Sequence, residues 1–163
     1  MKQYFGTDGI RGIPNKTLSE NLVSKIFSSV EKELLPSSVA VILDTRSSSP
    51  ELLNWICRGL SENVEVINYG VLPSGSMPIL LKNFGHDLGV IISASHNPSE
   101  YNGIKLINDK GSKLSDDLEI KIEKNLEIVS VPEKPSVSKS STKGYDTYLE
   151  YLESLIDFDL SSF

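Results

Sequence analysis

The sequence predicts a layered α/β domain built on a mostly parallel sheet. Three observations predict it. Short continuous apolar runs, Val39-Ala40-Val41-Ile42-Leu43 foremost, suit strands buried on both faces. Segments with apolar residues at helical spacing alternate with those runs. The connections between them are short, as strand–helix–strand units require. With 163 residues, 39% of them hydrophobic, the chain can bury the core of one such domain.

Thr17-Leu18-Ser19-Glu20 opens the first helix, in which Leu22, Val23, Ile26, Phe27, Val30 and Leu34 share a face. Pro36 and two serines end it. The run 39–43 is the first strand, and Asp44-Thr45-Arg46-Ser47-Ser48-Ser49 is the loop at its carboxyl end. Pro50 starts a helix to about Glu62, at the position where proline is tolerated. Val64–Ile67 is the next strand, Gly70–Gly75 a loop, Met77–Phe84 a helix and Leu88–Ser93 a further strand. Ile104–Ile107 reads as an added strand whose pairing is open, antiparallel being one option, with a turn at Asn108-Asp109-Lys110-Gly111. Ser115 caps a helix to about Leu126, its Asp116, Asp117 and Glu119 suited to the positive end of the dipole. Residues 131–144, rich in Ser, Pro and Lys, read as a surface loop or linker. Helical spacing returns at Tyr145, Tyr148, Leu149, Leu152, Leu155 and Ile156.

The net charge of −6 speaks against a nucleic-acid binder, which normally carries a basic stripe. It leaves room for an anionic substrate, because a few cations set the field of one cleft. The single cysteine, Cys57, lies among Leu52, Leu53, Ile56 and Leu60 and reads as a packed helix position. No run approaches the ~20 apolar residues of a membrane span, and the first residues hold no signal-peptide core. The expectation is a cytoplasmic protein without membrane partners.

Two segments carry chemistry. Residues 91–105, Ile-Ile-Ser-Ala-Ser-His-Asn-Pro-Ser-Glu-Tyr-Asn-Gly-Ile-Lys, break from an apolar run into a small polar loop with Ser95 at its apex. Phe5-Gly6-Thr7-Asp8-Gly9-Ile10-Arg11-Gly12 opens the chain. In open α/β sheets ligands collect outside the carboxyl ends of the strands. Asp44-Thr45-Arg46 and Ser93-Ala94-Ser95 both follow such ends, so they are expected to share one sheet edge. A serine hydrolase is disfavoured: neighbouring Ser95 and His96 side chains diverge, and no Gly-x-Ser-x-Gly elbow exists. The glycines at 6, 9 and 12 fit neither nucleotide-binding fingerprint. Two histidines, one cysteine and scattered carboxylates show no metal-ligand spacing. His86 reads as a surface loop residue.

These segments resemble the α-D-phosphohexomutases, the phosphoglucomutase, phosphomannomutase and phosphoglucosamine mutase enzymes. Ser93-Ala94-Ser95-His96-Asn97-Pro98 is similar to their phosphoserine loop. Asn102-Gly103-Ile104-Lys105 follows at the family's place, Gly6–Gly12 matches the N-terminal signature, and Asp44-Thr45-Arg46 matches a weaker third motif. The resemblance covers nearly the whole chain and corresponds to the first of four domains. It implies a three-layer α/β/α domain with a mixed, mostly parallel sheet over residues 1–144. A C-terminal helix and the start of a linker to a second domain would occupy 145–163.

By the same resemblance, Ser95 carries the transferable phosphate. Arg11 and Lys105 serve in proton transfer and in neutralising that phosphate, and His96 shapes the site. Asn97, Thr7, Gly9 and Arg46 are expected at the phosphate or substrate. A bland role stands beside each cation: Arg11 could only pair with Asp8, Lys105 could be a solvated face, and Arg46 is as much a partner for Asp44 as for phosphate. The reaction implied interconverts hexose or hexosamine 1- and 6-phosphates through a 1,6-bisphosphate, with a lean to phosphoglucosamine mutase. Magnesium would be held by the Ser95 phosphate and by aspartates of an Asp-Gly-Asp-Gly-Asp-Arg loop, which this sequence lacks. The chain is therefore expected to be part of a longer enzyme, with negligible turnover by itself. Pro73-Ser74-Gly75 departs from the family's common Pro-Thr-Pro, and Val41-Ile42-Leu43 from the glycine and basic residue common before Asp44. The rival reading is a non-catalytic module that binds a sugar phosphate or a protein.

Overall fold

The computed structural model describes residues 2–156. Among the described residues six strands form one sheet: β1 (Ile10–Gly12), β2 (Ser38–Leu43), β3 (Glu65–Val71), β4 (Leu88–Ile92), β5 (Asn102–Asn108) and β6 (Ser138–Ser140). Their spatial order is β1-β5-β4-β2-β3-β6. The pairings β2–β3, β2–β4 and β3–β6 are parallel, whereas β5 runs antiparallel to both β4 and β1. The sheet is thus mixed and mostly parallel, and the antiparallel option for the strand at 104–107 is the one realised.

Five α-helices among the described residues cover its two faces: α1 (Glu20–Leu34), α2 (Ser49–Gly59), α3 (Met77–Phe84), α4 (Asp116–Lys124) and α5 (Lys143–Ser154). On one face α1, flanked by α2 and α4, buries Val23, Ile26, Phe27 and Val30 against Val39, Val41, Val90, Ile92 and Ile104. On the other, Met77, Leu80 and Leu81 of α3 meet Ala40, Ile42 and Ile91. Side chains alternate between faces along a strand, so β2 is apolar at every core position because it is buried twice. That is the physical content of the unbroken run seen in the sequence.

Helix ends follow local chemistry. The Ser19 hydroxyl accepts the N–H of Leu22 at the start of α1, and Leu35 ends the helix in the left-handed region before Pro36. Pro50 sits in the first turn of α2. Ser115 caps α4 as expected. The helix α2 stops at Gly59 rather than near Glu62, where Leu60 turns its N–H back to the Cys57 carbonyl.

Four features depart from the sequence expectation. Strand β3 runs on through Gly70 into the expected loop. Gly70 has φ +76, its N–H bonds the side chain of Asn68, and the pairing with β2 shifts register there, so the glycine marks a bulge inside the strand. The segment 131–144 is not a plain loop or linker: it contributes edge strand β6, and Ser136 is tied to Leu60 and Val64 through their carbonyls. Polar composition hid it because an edge strand this short needs backbone partners rather than apolar side chains. Strand β1 is likewise too short to show a pattern. His86, expected on the surface, is only 7% exposed, with its ring nitrogens against the hydroxyls of Tyr69 and Ser38. The expected helix from Tyr145 is α5, whose first turn packs Gly144 on the Tyr69 ring. Residues 157–163 of the expected linker lie outside the described residues.

Candidate functional site

Strand parity assembles the site. Ala40 and Ile42 face the α3 side, so the next position of that parity, Asp44, emerges on the same side at the end of β2. Ile91 faces that side too, and Ser93 follows it at the end of β4. The Ser93 N–H extends the ladder to the Gly103 carbonyl, and Gly103 pairs with Arg11 across β1. Asp44, Ser93, Gly103 and Arg11 thus converge on one face of one sheet edge. The expected convergence of the 44–46 and 93–95 loops is observed, with Arg46 Nη2 3.0 Å from the Ser95 carbonyl.

Ser95 stands at the exposed apex of its loop with φ +57. The left-handed region costs a non-glycine residue roughly 1–2 kcal/mol, so the loop must hold it. The Ser95 N–H donates to Ser93 Oγ at 3.0 Å, and Asn97 N–H donates to the Ala94 carbonyl at 3.1 Å. His96 is exposed, its Nδ1 3.4 Å from Ser95 Oγ, a long contact between sequence neighbours.

Arg46 makes the largest contribution. Its Nε donates to Asp44 Oδ2 at 2.9 Å; Nη1 donates to the carbonyls of Pro98 and Tyr101; Nη2 donates to those of Ser95 and Asn97. A guanidinium has five N–H groups, and all five are spent on the protein. The phosphate-facing alternative for Arg46 therefore finds no donor to support it, and the partnership with Asp44 is the one observed. Burial raises the Asp44 pKa, but hydrogen bonds from the Arg46 N–H, the Ser49 and Ser93 hydroxyls and the Arg46 side chain together hold it below the usual carboxylate value.

Arg11 is the second anchor. Its Nη1 donates to Asn97 Oδ1 at 2.7 Å and its Nη2 to Asp8 Oδ2 at 3.0 Å. The pairing with Asp8 is thus real, and it coexists with the loop contact. The Arg11 Nε is buried and, among the described residues, has no partner. Two glycines permit this approach. A Cβ on Gly103 would lie 3.0 Å from Arg11 Cγ, and one on Gly9, whose φ is +89, would lie 2.2 Å from the Ile104 carbonyl oxygen.

Lys105 pairs with Ile91 on the same face and is half-buried. Among the described residues its ammonium joins none of the ion pairs. It is not brought into contact with Ser95. Thr7 is exposed at the tip of the turn closed by the Gly6–Gly9 hydrogen bond, and it lines a cavity of about 360 Å³ with Tyr4, Asp8 and Arg11. Asp44 and the hydroxyls of Thr45, Ser47, Ser93, Ser95 and Ser99 line a polar groove of about 470 Å³.

Sequence reasoning missed the support of this loop. Asn102, fully buried, donates from Nδ2 to Ser48 and Ser49, and Ser49 Oγ donates to Asp44 Oδ1. An Asn-Gly dipeptide signals a turn, and nothing local distinguishes this buried use. Asp44 did carry a signal, its two-residue spacing from Arg46 after an apolar strand. Among the described residues no group of three metal-ligating side chains exists, and Asp8 is occupied by Arg11. The residues present do not by themselves form a magnesium site.

Residues 2–130 match the family model for the phosphoglucomutase/phosphomannomutase α/β/α domain I. Phosphoglucosamine mutase of Clostridium kluyveri is 41% identical over 172 residues, covering 98% of this chain and 38% of that protein. The enzyme of the same name from Thermotoga maritima is 41% identical over 163 residues, with the same coverage of both chains. The crystal structure of a phosphoglucomutase/phosphomannomutase family protein from Burkholderia thailandensis superposes with a TM-score of 0.74 at 24% identity. It covers 99% of this chain and 37% of that one, a likeness of fold. The chain thus spans under two-fifths of the length of the curated relatives it matches. A serine held proud of one sheet edge by two arginines, on a six-stranded mixed sheet between helices, is where these comparisons meet the geometry, and the chain belongs to the phosphoglucomutase/phosphomannomutase family as its α/β/α domain I.

Proposed function

We propose that this chain is the phosphate-carrying domain of a phosphohexomutase, with Ser95 as the carrier. The exposed Ser95 hydroxyl at a left-handed apex, gripped from below by Arg46 and tied sideways through Asn97 to Arg11, is the observation that carries the reading. Phosphoryl transfer is mostly positioning and charge stabilisation. A phosphoserine bears about −1.5 to −2 charge; Arg11, which reaches the loop through Asn97, and Lys105, which joins no ion pair among the described residues, are the cations this reading assigns to it.

In the proposed step a sugar hydroxyl oxygen attacks the phosphorus on Ser95. The new O–P bond forms as the Ser95 Oγ–P bond breaks, the hydroxyl proton leaves to a neighbouring base, and Ser95 Oγ takes up a proton. The bisphosphate so formed reorients, and its other phosphate returns to Ser95 by the reverse step. Arg11 and Lys105 serve the proton and the charge, while His96, Asn97, Thr7 and Gly9 shape the phosphate and sugar site. The substrate would be a hexose or hexosamine phosphate; the phosphoglucosamine mutase names of the relatives favour the hexosamine. Magnesium dependence is general in this family; no step above is routed through it. No described helix is long and apolar enough to cross a membrane, and a cytoplasmic site of action accords with the substrate. The reading divides the chain near residue 144, with 145–163 leading to further domains.

The test is the intact mass of the wild-type chain and of Ser95→Ala after incubation with glucose 1,6-bisphosphate. Retention of one phosphate only where Ser95 is present is expected. Equal uptake by both proteins overturns the carrier role, and uptake by neither leaves the binding module open. Sugar-phosphate isomerisation should be negligible for the chain alone, and robust turnover would refute that part.

A further inference from the structure

The sequence leaves Arg46 between two roles, and the observed partnership with Asp44 takes only the Nε donor of the guanidinium. The guanidinium collects four carbonyls that follow one another along the serine loop: Ser95, Asn97, Pro98 and Tyr101. All four belong to the irregular stretch between β4 and β5, where no strand ladder satisfies them. The Arg46 side chain is 11% exposed, while the Ser95 and Pro98 carbonyls it reaches belong to exposed residues. The orientation of the guanidinium is fixed from behind by Asp44, itself fixed by Ser49 and, one step further, by Asn102 at the start of β5.

We infer that Arg46 is a positioning residue that locks the left-handed apex of the Ser95 loop, and that it does not bind the transferred phosphate. The inference deepens the reading of Ser95 as phosphate carrier and rests on it. Gripping the Ser95 carbonyl fixes the peptide plane that follows the serine, which in turn fixes the direction of its Cα–Cβ bond and hence of Oγ. Gripping three further carbonyls keeps the return path of the loop from relaxing. Lysine cannot substitute: its ammonium is a compact point charge with three donors and no planar fork. The reagent oxygen and the phosphate must meet nearly in line, so an ångström of drift at Oγ is costly.

The experiment compares the wild-type chain with Arg46→Lys and Arg46→Gln. Amide hydrogen exchange is followed over 93–103 and, as a folding control, over β2 and β4. Both variants should exchange at least about tenfold faster in the loop with the strands unchanged. Phosphate uptake at Ser95 from glucose 1,6-bisphosphate should fall about 100-fold in maximal rate, with the half-saturating concentration nearly unchanged. A raised half-saturating concentration with the maximal rate retained would mark a phosphate ligand and overturn the proposal. So would loop exchange identical to the wild type.

Should the variants lose core protection, the wild-type protein still decides. Nitrogen-15 spectra should show slowly exchanging, individually resolved Arg46 guanidinium protons, whereas a single averaged signal overturns the clamp. Absence of uptake by the wild type would instead leave the binding-module reading of Ser95 open, with loop exchange still deciding on Arg46.

Discussion

Asp44 takes the Nε–H of Arg46 at 2.9 Å, and that contact decides where the other four donors of the guanidinium point. The carboxylate also accepts the Arg46 backbone N–H and the Ser49 hydroxyl. The strand end and the serine loop are therefore joined by charge-assisted hydrogen bonds rather than by packing. Replacing Asp44 by asparagine removes the charge and one acceptor. A loss of about 1–2 kcal/mol is expected in urea unfolding at neutral pH. Because the folded Asp44 pKa is depressed, this stabilisation is fully present above the unfolded value near 3.8 and is lost as pH falls through the lower folded value. The gap between wild type and Asp44→Asn should therefore narrow in strong acid; a constant gap would refute the assignment.

Ser95 is a non-glycine residue in the left-handed region, with φ +57. Glycine adopts that conformation freely and alanine does not. Ser95→Gly should exceed Ser95→Ala in stability by about 1 kcal/mol, although both lack the hydroxyl and neither should accept phosphate. Thermal unfolding of the two variants checks it, and alanine proving equal or better would mean that the apex relaxes.

His86 lies between Tyr69, which approaches Nε2, and Ser38, which approaches Nδ1, with Glu65 and Asp87 as the charges acting on it. Burial lowers its pKa from 6.5 and outweighs the two carboxylates. The unfolded chain then takes up the proton first. Stability is fully present above about 6.5 and falls as pH drops towards the depressed folded value. Urea midpoints between pH 8 and 5 should decline in the wild type and decline less in His86→Gln. Parallel profiles would remove His86 as the cause.

Glu123 on α4 accepts the backbone N–H groups of Gln3, Tyr4 and Phe5 at 2.6, 2.7 and 2.8 Å. Lys2 adds a second tether, to Asp116 and to Glu119, whose side chain is 1% exposed. Glu123→Ala should cost about 1–2 kcal/mol and speed amide exchange over residues 3–9. Unchanged exchange there would show that the strap holds without it.

The sequence made the central strands and the long helices legible because burial imposes a period on them. Val39–Leu43 and the face from Leu22 to Leu34 needed no partner to be recognised. The shared edge of the 44–46 and 93–95 loops was legible too, because both follow strand ends, whereas Ser95 and Arg11 were singled out by their likeness to the phosphohexomutase motifs. What escaped depends on partners distant in sequence. Ser138–Ser140 becomes a strand only because Val66–Asn68 offers it a ladder. Asn102 reads as a turn until Ser48 and Ser49 stand beside it. Arg46 shows its charge in the sequence, but the four carbonyls that absorb its donors carry no side-chain signature. His86 looked exposed because it follows a glycine, and Tyr69 and Ser38 draw it inwards.

The pairing of Arg11 with Gly103 has a temporal consequence. During synthesis the first strand waits unpaired until the fifth has been made, a long-range closure of the kind that forms late. An unfinished polypeptide that already displays Ser95 presents only an unremarkable flexible serine. The loop around it is set only when the two ends of the sheet edge meet, so on the proposed carrier reading acceptance of phosphate would report that folding is complete.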